Sequence, residues 1–470
     1  MSDANLAVLA QIAEQSWSVL PPSPKFRKSR FIKDTLNFGK ETVVSAELRD
    51  DRQIPDILLV GFSSLGGYEF ELSTQEFDLL IQNALFCTPT VLNLISMNVT
   101  CTASARTIVA AAGGFNNVLA GQRLMFTGTT SGLLDGVVVF VQSISTDKSA
   151  LTVDAVPDYT GPAAFNAKTY RNGVVRNSMA LEKNLTPTSF QLYSGCMNNT
   201  FKLTLEAKKI ATGTCDFIGK GAKPSSTSAS SGGYNPQTTN PVLNCSNNIG
   251  KISQGGAPVN TGIKMMTIEL NNNLRPLAAI GQADLYGVGL GRCEVKGSMQ
   301  MYFNDNAILS MFISHTKSSF GCVLTDGAGG AISIDIPSLQ YDTGKTDVAG
   351  INTDVMIDTT YSAFRDKTLG YEIQICEMLA PAIQPTIVSL TPSAASIAAS
   401  PTVAVKVTGT NFEPSHLVLV NGFQIPATYV SAIEIDAVYT LPATTGVVNF
   451  QVQDPNSGLI SALTPFTVNA

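Results

Sequence analysis

Charge is what this 470-residue sequence has least of: Asp, Glu, Lys and Arg together make up 14%, against about 25% in an ordinary soluble domain. Histidine is scarcer still, with only His315 and His416. Neither lies at a metal-ligand spacing, and no GxSxG, HExxH or P-loop is present, so neither catalysis, a cofactor nor a metal is expected. GVGLG at 287–291 lacks the GxGxxG register and precedes a strand-like run, and it reads as a tight turn or β-bulge. The eight cysteines (87, 101, 196, 215, 245, 293, 322 and 376) stand singly without a CxxC pair, which suits buried reduced thiols better than a zinc or disulfide framework. No stretch reaches the ~18 apolar residues of a spanning helix. Residues 1–20 lack a basic n-region, and Gln11 and Glu14 interrupt their apolar stretch. No signal peptide is therefore expected, and synthesis in a reducing cytoplasm is. The four NxS/T sequons (Asn98, Asn184, Asn198, Asn244) are what chance gives in a chain rich in Asn and Thr. A net charge of −6 argues against wrapping DNA, which takes clustered Lys and Arg. It leaves room for DNA that passes close by without adhering.

Strand and turn residues fill the space that charge leaves. Length alone suggests about three domains. One passage occurs twice. VVSAELRDDRQIPDILLVG (43–61) and MMTIELNNNLRPLAAIG (265–281) share a β-prone run into Glu-Leu, a polar turn, an Arg (Arg52, Arg275), a Pro and a closing Gly. The separation exceeds any solenoid period and suits two related globular domains in tandem.

Further along the chain, Leu6, Leu9, Ile12 and Ala13 at helical spacing predict a short amphipathic helix within 4–16, followed by a basic, proline-led arm with Lys25, Arg27, Lys28, Arg30 and Lys33. Such an arm could touch nucleic acid; docking on an acidic neighbouring subunit is the preferred reading, because five charges make few phosphate contacts. Tyr68, Phe70 and Leu72 alternate with Glu69 and Glu71 as in a half-buried strand. STQEFDLLIQNAL follows, with Ser73 or Thr74 as cap and Glu76 at the N3 position of a predicted helix. The domain boundaries expected are 1–40 for the helix and arm, 41–97 with 175–223 for the first repeat, and 98–174 for an inserted small β module. A Ser/Gly-rich linker spans 224–241, the second repeat 242–380, and a third unit 384–470. In the second repeat, NDNAILSMFIS is the helix candidate matching that of the first.

The third unit alternates over short strands between Gly, Asn and Pro turns, which indicates a β-sandwich. Its Ser389–Pro392 opening, Gly409-Thr410-Asn411-Phe412, Val420-Asn421-Gly422, Thr428–Ala432 and Phe466-Thr467-Val468 resemble the IPT/TIG group of immunoglobulin-like domains. Such modules are adhesive or decorative, and Phe412, Val418, Val420, Val448, Phe450 and Val452 are its expected core.

Residues 20–380 resemble the tail tube proteins of long-tailed, siphovirus-type bacteriophages. The resemblance rests on Ser45–Gln53 with Asp56, on Ile268–Leu277, and on echoes at Arg171-Asn172-Gly173, Ala211–Thr214, Phe217–Lys220 and Asn352–Met356. It implies a mainly β fold class: two tandem β-sandwich or half-barrel domains each with a flanking helix, the inserted module, and the Ig-like sandwich. Sheets of neighbouring subunits would join around a channel, with six tube domains per ring, hence trimeric rings of pseudo-sixfold symmetry stacked helically. The implied partners are further copies of the chain, the tail tip, terminator and tape measure proteins, and double-stranded DNA in passage. Weak host-surface contact by the Ig-like domain is a further expectation. The chain would be assembled in the host cytoplasm and reside in the virion. A channel for DNA favours like-charge lining, for which Glu69, Glu71 and Glu294 are the candidates; facing solvent or pairing with the basic arm is the competing role. The sequence also fits two other functions: another phage structural protein, for capsid decoration or in the baseplate, and a cell-surface adhesin-type binding protein.

Overall fold

The computed structural model describes residues 3–259, 261–327, 329–348, 350–379, 385–398, 401–414, 416–454 and 460–470, and each structural statement concerns these. The chain divides into a unit up to residue 380 and a smaller one from 381. The expected junction at Pro381 and Gln384 lies outside the described residues.

The first repeat begins with a 3₁₀ turn at Ala4–Leu6 and strand β1 (Val8–Ala13), not with the expected amphipathic helix. A lone helix of that length is marginal in water, whereas β1 gains a full ladder on a distant strand, with Val8 opposite Asn184. Short β2 (Arg27–Lys28) pairs with β1, and β3 (Lys33–Asp34) and β4 (Asn37–Val44) run along β5 (Ile57–Glu71). Helix α1 (Asp78–Ala84) follows. It starts later than the capping signal implied: Phe77 is its N-cap without a side-chain bond, because Glu76 is turned inward to other donors.

Six strands come next: β6 (Thr90–Thr102), β7 (Thr107–Val109), β8 (Arg123–Thr127), β9 (Val138–Ile144), β10 (Ala150–Val153) and β11 (Tyr159–Arg171). Their pairings run β6–β11–β8–β9–β10–β7 and back to β6. The inserted module is thus a closed barrel, which leaves it no exposed edge. Phe115, Phe126 and Phe165 fill it along with Ile108, Leu124, Val139, Val141 and Leu151. It is rooted in the body by the far end of β11.

The first repeat resumes with β12 (Met179–Thr186), β13 (Ser189–Glu206), β14 (Thr212–Gly219) and β15 (Gly221–Ser225). The Ser/Gly-rich stretch after it is not a free linker. Ser228 Oγ and the Ala229 N–H each donate to buried Glu182 at 2.8 Å, and Thr238 donates to Glu76.

The second repeat comprises β16 (Ile249–Gln254), β17 (Ala257–Pro258), β18 (Ile263–Asn271), β19 (Arg275–Leu277), β20 (Gly287–Gly289), β21 (Glu294–Tyr302), α2 (Ala307–Ile313), β22 (Ser318–Thr325), β23 (Ala331–Tyr341), β24 (Lys345–Asp347), β25 (Met356–Ala363) and β26 (Gln374–Met378). Its pairing order repeats that of the first. β16–β22, β22–β23, β23–β25, β23–β26, β25–β21 and β21–β18 stand where β1–β12, β12–β13, β13–β14, β13–β15, β14–β5 and β5–β4 stand. The two passages that first suggested duplication do not themselves superpose. Leu270 is buried within β18, whereas Leu48 lies almost fully exposed beyond β4; the common frame of strands and helices runs several residues away.

The repeats join edge to edge. β13 pairs antiparallel with β18 from Thr200↔Asn271 to Glu206↔Met265, so β5, β14, β13, β18, β21 and β25 form one continuous sheet. A second tie is β11 of the barrel on β26, Lys168–Arg171 against Gln374–Glu377. There Lys168 pairs with Asp78, and burial with the nearby Asp78 pushes the Glu377 carboxyl well above its ordinary value. One core serves both repeats, with Phe70, Phe77, Phe201, Leu203, Ile268, Met299 and Tyr361 among its members.

From residue 385 the chain forms two facing sheets from β27 (Thr386–Thr391), β28 (Ala394–Ser396), β29 (Thr402–Thr410), β30 (Leu417–Val420), β31 (Phe423–Ile425), β32 (Ala427–Ser431), β33 (Glu434–Thr440), β34 (Gly446–Gln453) and β35 (Thr464–Asn469). The orders are β27–β29–β33–β32 and β28–β35–β34–β30–β31. The six residues expected in its core are all there, with Tyr439 edge-on to Phe450 and Phe466.

Phe70 is the residue on which the main core turns. It is fully buried, 4.2 Å from Phe77 and 6.1 Å from Phe201 between ring centroids, and its ring occupies the space beside Gly213, where a Cβ would fall 2.2 Å from it. Phe70→Ala should cost about 3–5 kcal/mol in chemical denaturation; a loss under about 1 kcal/mol would show that the site collapses around the gap.

Candidate functional site: a polar sheet face with open edges

Alternation along each strand of the continuous sheet sends apolar side chains to the core and polar ones to the opposite face. The cross-strand register then sorts the polar ones into rows. One row reads Lys33, Glu69, Thr214, Lys202, Glu269, Lys296, Ser362. Its neighbours read Glu71, Thr212, Thr204, Thr267, Ser298, Thr360 and Gly67, Asp216, Thr200, Asn271, Glu294. A last row carries Glu206, Met265, Gln300, Asp358 and Lys345.

Carboxylates outnumber cations on this face, and its cations are paired. Lys33 lies 3.0 Å from Glu69, Lys202 3.6 Å from Glu269, Lys296 2.9 Å from Glu294 and Lys345 2.6 Å from Asp347. Arg292 joins Glu294 at 2.6 Å, and the hydrogen bonds of Arg292 and Lys296 hold that carboxyl below its ordinary range. Such exposed pairs contribute little to stability; they set the charge pattern of the surface.

The structure places all three glutamates expected from the sequence, Glu69, Glu71 and Glu294, on this one face. Asp216, Glu206, Glu269 and Asp358 join them, as do the cations. The signal for the missed residues was present: Lys202, Thr204 and Glu206 alternate with buried Phe201, Leu203 and Leu205.

The basic arm folds back on its own chain. Arg27 pairs with fully buried Glu76 at 3.1 Å, and the same carboxylate accepts the Arg30 N–H at 3.1 Å. The Arg30 guanidinium donates to Asn240 O at 2.6 Å, and Lys33 is held by Glu69. Lys25 is exposed and Lys28 half-buried. Phe26, between them, is fully buried with Ala10 and Ala180. The arm is therefore part of the fold of its own chain.

Two edges of the sheet carry no further strand among the described residues: the outer side of β4 and that of β24. The β4–β5 hairpin also exposes Val43, Val44, Leu48, Ile54, Leu58 and Val60, and exposed apolar side chains grouped in this way mark an interaction surface. GVGLG contributes β20, paired with β19. Eight cysteines are free thiols, six of them buried, and among the described residues no group of three or more His, Cys, Asp or Glu could hold a metal.

Beside Glu294, Glu372 accepts the Val295 N–H at 3.3 Å, and burial pushes its carboxyl up to about 7. The folded chain thus keeps a proton that the unfolded chain releases near the ordinary value of 4.5. That contribution to stability is complete below about pH 4.5 and is lost as pH rises through about 7. Thermal unfolding followed from pH 5 to 8, a window chosen around those two values, should show a falling midpoint that Glu372→Gln flattens; an unchanged slope in the variant would assign the dependence elsewhere.

Comparison with known proteins gives two matches. The family described as phage tail tube protein matches residues 4–363, and the IPT/TIG domain matches residues 385–468. No curated protein matches the chain.

Proposed function

The chain belongs to the phage tail tube protein family, a structural and non-enzymatic family of the virion tail, and from that premise we propose that it builds stacked rings around a channel for genomic DNA. The observation that carries this reading is the β13–β18 joint. Two repeats already sit side by side in one sheet, and among the described residues that sheet ends on two unpaired edges, β4 and β24. The second-repeat equivalent of β13 is β23 with β24, so β24 of one protomer would receive the β3–β4 edge of the next. This is the same pairing made between chains, and it removes an exposed-edge hazard. Six tube domains around a channel, as the family resemblance implies, then require three chains with pseudo-sixfold appearance. Stacking of rings is heterologous, which is how an open filament grows.

The polar face would line the channel. Its excess of carboxylates repels phosphate, and its paired cations leave few sites for counterion release. The Ig-like unit has its own core and would decorate the outside, since a sandwich in the channel would obstruct DNA. Tail tip, terminator and tape measure proteins would meet the ends and lumen of such a tube. Assembly would take place in the host cytoplasm.

Native mass measurement on disassembled tubes should give three times the 49.7 kDa of the chain, and a chain ending before residue 385 should still form rings. Six chains per ring would overturn the threefold reading, and failure of the shortened chain would make the Ig-like unit structural. Tubes bearing Glu69→Lys and Glu71→Lys should assemble yet deliver DNA several-fold less efficiently; unchanged infectivity would take these residues out of the channel.

A further inference from the structure

The connection between β18 and β21, residues 272–293, lies across the first repeat. Asn272 Nδ2 donates to Ala84 O at 2.9 Å and to Asn198 O at 3.0 Å, and the Leu274 N–H donates to Asn199 Oδ1 at 2.8 Å. Leu274, Val288 and Leu290 pack on Trp17, Phe86, Met197 and Ile218. The Phe62 N–H completes the seat by donating to Ala283 O at 2.8 Å. One repeat's connection is thus held by the repeat before it.

In the first repeat the equivalent connection, between the equivalent strands, is the projecting part of the β4–β5 hairpin. Its apolar residues are exposed, so among the described residues it has no such seat within its own chain. The equivalent seat on the second repeat can be located. Phe86 and His315 both close their helix with a positive φ, 45° and 52°. Ile218 and Phe364 both lie four residues beyond matched positions, Thr214 opposite Glu69 and Thr360 opposite Ser298. Around His315 and Phe364 stand Gln340, which donates to His315 O at 3.2 Å, Lys317, 5.0 Å over the Phe364 ring, and Arg365. His315, Lys317 and Arg365 are exposed.

We infer that the β4–β5 hairpin of one protomer docks on this face of the neighbouring protomer in the same ring. Its occupant is a second copy of this chain. Charge agrees with the assignment: the tip carries Glu47, Asp50, Asp51 and Asp56 against Arg49 and Arg52, and the seat carries Lys317, Arg365 and Lys367 against Asp366. The docking rests on the ring reading and adds to it a lateral role for the hairpin, within a ring and not between rings.

The test pairs Ile54→Cys with Phe364→Cys in the full chain, treated with a short bismaleimide and run under denaturing conditions. Variants with only one of the two added cysteines, and the unsubstituted chain with its eight native ones, serve as controls, and Arg365→Cys replaces Phe364→Cys should the latter lower the melting temperature. Lateral docking gives linked species that stop at three chains, at least several-fold above either single variant. A ladder beyond three chains would place the hairpin between rings and overturn the inference. Absence of linkage in protein whose native mass shows rings would overturn it while leaving the rings standing; wild-type protein that forms no rings would remove both.

Discussion

The pairing of β13 with β18 is the constraint on which the rest of the architecture depends. It is an ordinary antiparallel ladder between strands about sixty residues apart, yet it turns two sandwich-like repeats into a single sheet with one core. Because each repeat spends one edge on the other, the chain is left with two edges instead of four. An unpaired edge is a template for another strand, so a sheet built this way is complete only when β4 and β24 find partners. The same ladder fixes the register of the polar rows, and through them the position of every charge on the outward face.

Around that joint the two repeats are finished unequally. The first carries the barrel, the basic arm and the strap of residues 226–241, and two buried carboxylates hold the arm and the strap: Glu76 gathers Arg27, Arg30 and Thr238, and Glu182 gathers Ser228, Ala229 and Tyr234. Burial of a carboxylate is tolerable only with such a set of donors. Among the described residues the second repeat has neither barrel nor strap, and its α2 is more exposed than α1. The barrel compensates in part, since β11 reaches across to β26 and ties the two repeats a second time.

Much of this was legible in the sequence where a single strand announces itself. Tyr68, Phe70 and Leu72 alternate with glutamates, Phe201, Leu203 and Leu205 with polar residues, and both read as half-buried strands. The two helices were legible from their apolar spacing and the Ig-like unit from its turns. What local pattern could not supply is the partner. Leu6, Leu9, Ile12 and Ala13 have the spacing of a helix, and the strand that forms instead is decided by the ladder on residues 179–184, far along the chain. The Ser/Gly-rich stretch looks like a linker because its anchors, Glu76 and Glu182, lie elsewhere in sequence. The closure of the barrel and the rows of the polar face depend likewise on register, which no single segment contains.

The low charge of the chain takes on a physical sense from those rows. Between the charged positions the face is built largely of Thr, Ser, Asn and Gln, whose hydroxyls and amides bond to one another or to a neighbouring carboxylate, as Thr267 does with Ser298 at 2.8 Å and Gln300 with Asp358 at 2.9 Å. A surface meant to hold DNA would present unpaired lysines and arginines, each releasing a counterion on contact. Here Lys33, Lys202, Arg292, Lys296 and Lys345 each have a carboxylate within salt-bridge distance. In a closed ring this face would offer a passing polyanion hydration and weak repulsion with few places to stop. On the ring reading proposed above, the low charge of the chain and a role as a conduit would meet on this one surface.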